Sequence, residues 1–523
     1  MKVTLFALNS SYVHTNLAVR CIAKNLSRHG YDVSVLERSL KERTRDILQA
    51  LVSENADVYG FSVYIWNRME MLALAADLHA VRPDAKIVFG GPEISFEDES
   101  FFAANPFVDN IIAGEGEEAF VSFCDVFPER HTIVMGLPYE GFTDGGILYD
   151  EYPPDSHSGG ILYYESSRGC PYSCAYCLSS ATRGVRAKDA ETAIADLSRF
   201  EEIDGVRVIK FVDRTFNFDR RRADRIWRAI AGEQFTKTYH FEICADLLDE
   251  ENFKTLEAMP KGRIQLECGV QSTNHETLAA IGRTSDSEKI IEALTRIRSF
   301  GNIHLHADLI AGLPHENFAR FAESFDALYP ACDLLQMGFL KLLPGTNLRS
   351  RCADMGYRYS SNAPYEVLCS DALSYEELYH LHVIDDVLDR FHGSGHFATA
   401  ISYLLKGQNS PFSFYKGFAE KIPHPRSLSQ REAFLAFREY AHSVAQDKTL
   451  VDTYLTLDWY LWENASLPFP IPDARHPEEN ALRRDWCARH KDTPLSAVVV
   501  CSLNIENSTA VVIDRKHHAY EIL

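Results

Sequence analysis

Short apolar runs alternate with amphipathic stretches along residues 1–127. The candidate strands lie at residues 3–8, 32–36, 58–63, 86–89 and 110–113. The helical patterns lie between them at residues 16–29, 42–53, 68–81 and 96–104, and another follows Glu117. Such alternation predicts a parallel sheet covered by helices on both faces. Five strands with five helices predict a flavodoxin-like, doubly wound (Rossmann-type) domain, whose ligand binds at the carboxyl ends of the strands.

Prolines and glycines interrupt this pattern between residues 128 and 160, which predicts a linker. A second α/β alternation follows, with candidate strands at residues 161–165, 206–212, 239–244, 263–268, 304–310 and 334–340. Helical patterns fill the gaps at residues 190–201, 221–233, 250–259 and 287–300. Six βα units predict a partial (β/α)6 TIM-like barrel, shorter than the closed eight-stranded form.

The last part of the chain is mostly helical in pattern. Its helical stretches lie at residues 375–391, 397–405, 431–445 and 452–462, and a small terminal hairpin is predicted from residues 493–500 and 510–513. The predicted fold is therefore α/β with a helical extension. We expect a first domain at residues 1–127, a linker at 128–160, a barrel at 161–346 and a helical C-terminal domain at 347–523.

The charge and hydropathy of the chain argue against some classes of function. The 523 residues include 53 Lys and Arg against 74 Asp and Glu, a net charge of −21. An acidic chain is a poor partner for a long nucleic acid, which needs clustered Lys and Arg. No apolar run reaches the ~18–20 residues of a membrane helix, and residues 3–8 are too short for a signal-peptide core. We expect a cytoplasmic protein with reduced cysteines, no membrane and no nucleic-acid partner.

Three of the 12 cysteines stand together, at Cys170, Cys174 and Cys177, directly after a predicted strand. Thiolates so closely spaced converge on one metal centre when a loop wraps around it, and soft thiolates select zinc or iron–sulfur clusters. Zinc usually takes a distant second pair of ligands, and no obvious second pair is present. Three ligands would leave one iron of a cubane cluster free, as an open catalytic position.

The C-x3-C-x-aromatic-C spacing of this loop resembles the signature of radical S-adenosylmethionine (SAM) enzymes. The resemblance implies that the three cysteines bind a [4Fe–4S] cluster and that SAM chelates the fourth iron. In that family, electron transfer cleaves SAM and releases a 5′-deoxyadenosyl radical, while the protein orients and shields the cofactors. Tyr176 would then lie near the adenine of SAM.

Later segments resemble the coproporphyrinogen-oxidase-like branch of the same family. They are residues 211–217, 241–242, 267–272 and 308–314, together with Arg283. The resemblance implies that Glu242, Gln271, Arg283 and Asp308 contact SAM. Carboxylates at strand ends can accept ribose hydroxyls, and an arginine can hold a carboxylate. His315 stands where relatives often have glycine.

The first domain, placed ahead of such a barrel, resembles the cobalamin-binding arrangement. The cobalamin contacts expected from this resemblance lie at successive strand ends: Ser62, Gly90, Gly91, Glu93, Gly114 and Gly116. Glycines there allow the backbone to approach a flat macrocycle. The Asp-x-His-x-x-Gly motif that ligates cobalt is absent around His14, which favours base-off cobalamin without a histidine ligand. A flavin domain and a degenerate, empty domain are the alternatives.

The C-terminal region is also acidic, and it resembles a helical domain of uncharacterised function in one cobalamin–radical subgroup. Together the resemblances imply a cobalamin-dependent radical SAM enzyme, with C-methylation of a small molecule as the expected reaction. A flavodoxin or ferredoxin is the expected electron donor, and no general-base pair is assigned. The alternatives are a cobalamin-independent radical SAM oxidase or methylthiotransferase, and a non-catalytic sensor or carrier.

Overall fold

The computed structural model describes residues 1–142, 160–181, 184–422, 424–463, 477–503 and 510–523. The central part of the predicted linker, residues 143–159, lies outside the described residues. The chain forms two compact units. The first comprises Met1–Asn317, Ala331–Asp333 and Gly338–Ser374. The second comprises Phe318–Pro330, Leu334–Met337 and Tyr375–Leu523.

The first unit begins with alternating strands and helices. They are β1 (Lys2–Asn9), α1 (Leu17–Arg28), β2 (Asp32–Ser39), α2 (Thr44–Glu54), β3 (Val58–Ser62), α3 (Arg68–Val81), β4 (Lys86–Gly90), α4 (Ser100–Ala104), β5 (Asn110–Gly114), α5 (Gly116–Val126) and β6 (Thr132–Gly136). All these strands are parallel, in the order β2-β1-β3-β4-β5-β6. The doubly wound prediction is confirmed.

Burial on both faces explains this part of the fold. In β1 every residue from Val3 to Asn9 is buried, as expected for a central parallel strand covered by helices. One apolar core lies on each face of the sheet. Asn16 caps α1 by accepting the amide of Val19 at 3.1 Å. The sixth strand, β6, lies within the stretch predicted as linker, where flanking prolines at 128 and 138 hide its short apolar run.

A second parallel sheet follows. Its elements are β7 (Ile161–Tyr164), β8 (Ser167–Cys170), β9 (Gly184–Ala187), α6 (Ala190–Glu201), β10 (Val208–Phe211), α7 (Arg220–Ile230), β11 (Thr238–Ile243), α8 (Glu250–Glu257), β12 (Ile264–Gln271), α9 (His275–Ala280), α10 (Ser287–Phe300), β13 (His304–Ala311), α11 (Phe318–Leu328) and β14 (Leu334–Phe339). The sheet order is β14-β13-β12-β11-β10-β7. These are the six strands of the predicted partial barrel. β8 and β9 form a separate antiparallel ribbon.

The remaining elements complete the first unit and build the second. They are α12 (Asn347–Ser350), β15 (Arg358–Tyr359), β16 (Val367–Cys369), α13 (Tyr375–Val387), α14 (Ala398–Leu405), α15 (Pro411–Ala419), α16 (Gln430–Val444), α17 (Lys448–Trp462), α18 (Glu479–Arg489), β17 (Val498–Cys501), β18 (Val511–Asp514) and β19 (Ala519–Ile522). The second unit is therefore mostly helical, as predicted, with a three-stranded antiparallel sheet at its end. Among the described residues, no helix is long and apolar enough to cross a membrane.

Candidate functional site

The three clustered cysteines lie at the end of the β8–β9 ribbon. Cys170 is the last residue of β8 and pairs with Gly184 of β9. Gly169 has a φ of +91°, and a Cβ there would collide with the carbonyl oxygen of Gly184. Only glycine suits a positive φ with so little room. The ribbon therefore holds Cys170 and Gly184 next to each other.

Asp213 fixes the start of this ribbon. Its buried carboxylate accepts the amide of Ser166 at 2.7 Å, the Ser166 hydroxyl at 2.5 Å and the Ser167 hydroxyl at 2.7 Å. Arg222 donates to the Ser166 hydroxyl at 2.7 Å and to the carbonyl oxygen of Lys188, just after β9, at 2.8 Å. Both ends of the cysteine-bearing segment are thus attached to the barrel by buried hydrogen bonds.

The cysteines differ in burial. Cys174 is buried, whereas Cys170 and Cys177 are half-buried. Burial raises the pKa of the Cys174 thiol, partly offset by the nearby Arg283 guanidinium. The amide of Cys177 donates to the carbonyl oxygen of Cys174 at 3.1 Å, and the amide of Ala175 donates to that of Ile281 at 2.8 Å. The first bond closes a tight turn between Cys174 and Cys177, and the second ties this turn to the residue that follows α9.

Within the described residues, no three His, Cys, Asp or Glu side chains converge on the position of a single metal ion. A [4Fe–4S] cubane makes a different demand, because each thiolate ligand binds a different iron. Its ligands therefore stand further apart than those around one zinc ion.

The predicted SAM residues occupy neighbouring strand ends. Glu242 of β11 pairs in register with Glu267 of β12, and Gly269 of β12 pairs with Asp308 of β13. The register shifts at Gln271, which adopts a φ of +73°. Gln271, Asp308 and Glu242 are thus brought to one edge of the sheet.

Two buried acceptors at this edge lack partners. Among the described residues, neither Gln271 Oε1 nor Asp308 Oδ1 has a hydrogen-bond partner. A buried polar atom left unsatisfied costs about 1–3 kcal/mol. A ligand that donates to these two oxygens would remove that cost, and the ammonium and hydroxyl groups of SAM are such donors. The residues present therefore fit SAM.

Burial and neighbouring charges shift the pKa values of the carboxyl groups at this edge. Burial raises the pKa of Asp308 to about 8, and Glu267 and Glu242 add to the shift. Burial likewise raises the pKa of Glu242 to about 6, with Arg214 opposing it. This edge of the barrel is an environment in which a cationic ligand is favoured.

Arg283 connects the strand edge to the cysteine loop. Its guanidinium donates to the carbonyl oxygen of Gly269 and to the Ser285 hydroxyl, the latter at 2.7 Å. The same group lies beside Cys174 and the half-buried Tyr176 ring. Tyr176 and Arg283 are therefore brought together, on the side of the barrel where the cysteines lie.

The predicted cobalamin residues lie at the carboxyl ends of β3, β4 and β5. Ser62 pairs with Gly90 in register, and its hydroxyl accepts the side-chain amide of Asn16 at 3.2 Å. Gly91 has a φ of +110°, and a Cβ there would lie 2.5 Å from the carbonyl oxygen of Val63. A Cβ on Gly90 would meet only ordinary contacts, at 3.5 Å. Gly91 is thus required by the backbone, whereas Gly90 leaves an open approach for a ligand.

Other residues of this set have partners within the chain. Glu93 is buried, accepts the Tyr365 hydroxyl at 2.5 Å and pairs with Arg68 at 3.3 Å. Gly114 has a φ of +90°, and a Cβ there would lie 2.5 Å from the carbonyl oxygen of Gly136. A Cβ on Gly116 would lie 2.7 Å from Ile22 Cδ1. These residues position the loops, and the Glu93 side chain is engaged in an ion pair.

Sequence reasoning missed the ion pairs that join the first domain to the cysteine ribbon. Arg168 Nη1 lies 2.7 Å from Glu115 Oε2, and its Nη2 lies 2.5 Å from Glu117 Oε1. Arg186 of β9 also pairs with Glu115. The loop between β5 and α5 is therefore docked on the ribbon that carries Cys170.

His14 is part of the same boundary. Its Nδ1 is hydrogen-bonded to the Tyr163 hydroxyl of β7 at 2.6 Å. Burial and the nearby charge of Lys210 lower the pKa of His14. No local spacing signals these contacts, since the paired residues lie far apart in the chain.

Sequence comparisons agree with this arrangement. Residues 3–123 match the B12 binding domain, residues 164–328 the radical SAM superfamily, and residues 353–498 a protein family of unknown function, DUF4080. An uncharacterized methyltransferase of Pyrococcus horikoshii is 24% identical over 357 residues, which cover 62% of this chain and 75% of that protein.

A second relative is the 2-(S-pantetheinyl)-carbapenam-3-carboxylate methyltransferase of Streptantibioticus cattleyicolor. It is 27% identical over 311 residues, 53% of this chain and 45% of that protein, so the match spans about half of that relative. Among solved structures, the cobalamin-dependent SAM radical enzyme OxsB with aqua-cobalamin bound has a TM-score of 0.59. The alignment covers 88% of this chain and 79% of OxsB at 16% identity. The chain is therefore a radical SAM enzyme with an N-terminal B12-binding domain and a C-terminal domain of the unknown-function family, and its cofactors are a [4Fe–4S] cluster, SAM and cobalamin.

Proposed function

We propose that this protein is a cobalamin-dependent radical SAM C-methyltransferase that acts on a small molecule. The observation that carries the proposal is a pair of buried acceptors, Gln271 Oε1 and Asp308 Oδ1, that have no partner among the described residues and lie on a strand edge that Arg283 joins to the cysteine loop. When bound, the cluster with SAM supplies a primary carbon radical that abstracts hydrogen from an unactivated carbon, and cobalamin supplies a methyl group.

In this proposal the chain positions three cofactors. Cys170, Cys174 and Cys177 each bind one iron of the cluster. Asp308 and Gln271 accept hydrogen bonds from SAM, and Glu242 adds negative charge near its cationic groups. Arg283 holds Tyr176 in place, so that the ring can pack against the adenine.

The B12-binding domain, expected at residues 1–127 and extended by β6 to Gly136, presents its strand ends to cobalamin. Ser62 and Gly90 lie side by side at the ends of β3 and β4, and Gly90 leaves room for the corrin edge. Glu93, Gly91, Gly114 and Gly116 support the loops around it. The ion pairs of Arg168 with Glu115 and Glu117 keep this loop against the cysteine ribbon.

Methylation of a small molecule is supported by the names of the two relatives. Both are called methyltransferases, and the name of the second gives a carbapenam carboxylate as its substrate. The acidic balance of the chain is also a poor match for an RNA substrate. A flavodoxin or ferredoxin is the proposed electron donor.

Anaerobic expression with cobalamin, followed by reconstitution, tests the proposal. We expect about four irons per chain, corrin absorbance bands, and formation of 5′-deoxyadenosine and S-adenosylhomocysteine in the presence of substrate. A cluster without corrin bands would instead support the cobalamin-independent oxidase or methylthiotransferase. Both cofactors bound, with neither product formed from any metabolite fraction, would support a sensor or carrier.

A further inference from the structure

The inner face of the barrel carries a row of polar side chains, several of them titratable, that the proposed cofactor contacts do not use. Lys210, His240, Gln265 and His304 are aligned in register across β10 to β13. One step further along the strands, Glu267 pairs with His306. The alternate residues of these strands, such as Phe241, are buried and apolar. The polar face is therefore the one that faces the barrel interior.

Contacts within this row are unequal. Glu267 Oε2 is hydrogen-bonded to His240 Nε2 at 2.8 Å. Lys210 Nζ lies 3.8 Å from the same carboxylate oxygen, which is too far for a hydrogen bond. The Lys210 side chain is 36% exposed, and the structure shows no hydrogen bond from its ammonium group to any described residue. The ammonium group can donate three hydrogen bonds, and it makes none to a described residue although about a third of its side chain is open to solvent.

Charges of both signs lie across this face, with Glu267 of β12 between Lys210 of β10 and Asp308 of β13 in the strand order. On the β10 side, burial lowers the pKa of His14, and the positive charge of Lys210 lowers it further. Burial, His304 and His240 lower the pKa of His306 to about 4, with Lys210 contributing, so that this ring is neutral. On the β13 side, Asp308 lies in a negative environment created by Glu267 and Glu242. The acidic side suits the sulfonium and ammonium groups of SAM, and the Lys210 side suits an anion.

We propose that Lys210 binds an oxyanion of the small-molecule substrate, a carboxylate or a phosphate, on the β10 side of the barrel interior. Glu267 stays hydrogen-bonded to His240, which leaves the Lys210 ammonium group, 3.8 Å away, to bind the oxyanion. The inference rests on the proposed function, because it names the class of substrate for the same site: an anionic metabolite. Lys210 is here a binding and specificity-determining residue.

Protection of Lys210 from acylation measures anion binding at this site directly. Holoenzyme carrying cluster, cobalamin and SAM is treated with an amine-acylating reagent, with inorganic phosphate or with acetate present, and modification is quantified by mass spectrometry. At a probe concentration about ten times its Kd, one-site binding slows Lys210 modification about tenfold. Lys254, an exposed lysine paired with Glu251 at 2.7 Å, is the internal control and should react at an unchanged rate. Sodium chloride at equal ionic strength is the salt control.

The comparison of the two probes distinguishes a carboxylate from a phosphate. Protection by one probe at a lower concentration than the other assigns the group. If neither probe slows modification of Lys210 relative to Lys254, while iron and corrin are fully loaded, the inference is wrong and the proposed function stands.

The Lys210→Gln variant tests whether this lysine matters for activity. Metabolite extract is divided into the fraction retained on an anion exchanger and the flow-through, and each is assayed for 5′-deoxyadenosine formation. We expect activity in the retained fraction, at least about tenfold lower in Lys210→Gln, as for loss of one charge-assisted hydrogen bond. Lys289→Gln, at an exposed lysine of α10, should match the unmodified enzyme. Activity in the flow-through alone, or equal activity of Lys210→Gln on the retained fraction, would overturn the inference.

Discussion

Arg168, two residues before Cys170, is ion-paired with Glu115 of the B12-binding domain at 2.7 Å. The arginine side chain is 13% exposed, and Glu117 and Glu165 also accept from it. The two regions proposed to hold cobalamin and the cluster are therefore connected by one guanidinium group.

We predict that Arg168→Ala destabilises this boundary. Removing one partner of a buried ion pair costs about 3–5 kcal/mol, because the carboxylates are left buried without their counter-ion. Urea unfolding should show the loss, and the magnetic interaction between reduced cluster and cob(II)alamin should become weaker or more heterogeneous.

The matched control is Arg20→Ala. Arg20 is 15% exposed and pairs with Glu37 within the B12-binding domain. This variant can lower stability but should leave the magnetic interaction unchanged. An Arg168→Ala spectrum identical to that of Arg20→Ala would show that the ion pair does not set the cofactor geometry.

Replacing any one of Cys170, Cys174 and Cys177 by serine should reduce iron from about four per chain to near zero after reconstitution. Serine is a poor ligand for a site that selects soft thiolates. Iron and sulfide analysis with the visible absorption spectrum measures the effect. Cys352→Ser, at a half-buried cysteine outside the loop, should retain full iron. Equal iron content in all four variants would refute the assignment.

The neighbouring glycines Gly90 and Gly91 should respond differently to alanine. Gly91→Ala forces a side chain into a φ of +110° and against Val63, so we expect about 1–3 kcal/mol of destabilisation. Thermal unfolding of the cobalamin-free protein measures this.

Gly90→Ala meets only ordinary contacts in the protein, so its stability without cobalamin should stay within about 1 kcal/mol of the parent. Its corrin absorbance after reconstitution should nevertheless fall, because the added methyl group occupies the proposed approach of the ligand. Full corrin binding by Gly90→Ala would place cobalamin elsewhere.

The raised pKa of Asp308, about 8, predicts how SAM binding depends on pH. Since the carboxylate form attracts a cationic ligand, SAM affinity should rise with pH, approaching about tenfold per unit below pH 8 and levelling above it. Titration calorimetry between pH 6 and 9 measures the profile. Asp308→Asn should bind SAM more weakly and lose this dependence, and an unchanged profile in that variant would assign the titration to another group.

The same carboxyl group affects the stability of the ligand-free protein. Folding raises its pKa from an unfolded value near 3.9, so the folded state binds more protons between about pH 4 and 8. Its contribution is therefore complete below pH 4 and is lost as the pH rises through 8. Urea unfolding of the parent should show a steeper decline across this window than Asp308→Asn.

The sequence reveals the local patterns of this fold but not its long-range contacts. The strand ends that carry Ser62, Glu242 and Asp308 were predictable, because apolar runs mark parallel strands and their carboxyl ends meet at one edge. The cysteine loop was predictable from spacing alone.

Other features depend on register or on distance in the chain. β6 was missed because its short, partly exposed run lies between prolines. The alignment of Lys210 with His240 depends on the pairing of two strands, and that of Arg168 with Glu115 on the docking of two domains. Single charged residues follow no hydrophobic periodicity, so the sequence does not reveal which residues they pair with.

The buried bonds from Asp213 and Arg222 to Ser166 have a consequence for how the enzyme matures. They fix both ends of the cysteine-bearing segment without help from iron. The entropy cost of bringing the ends of that loop together is thus met during folding of the barrel, before a cluster is inserted. The chain can fold first and receive its iron afterwards, so the metal-free protein should be a competent recipient for a cluster donor.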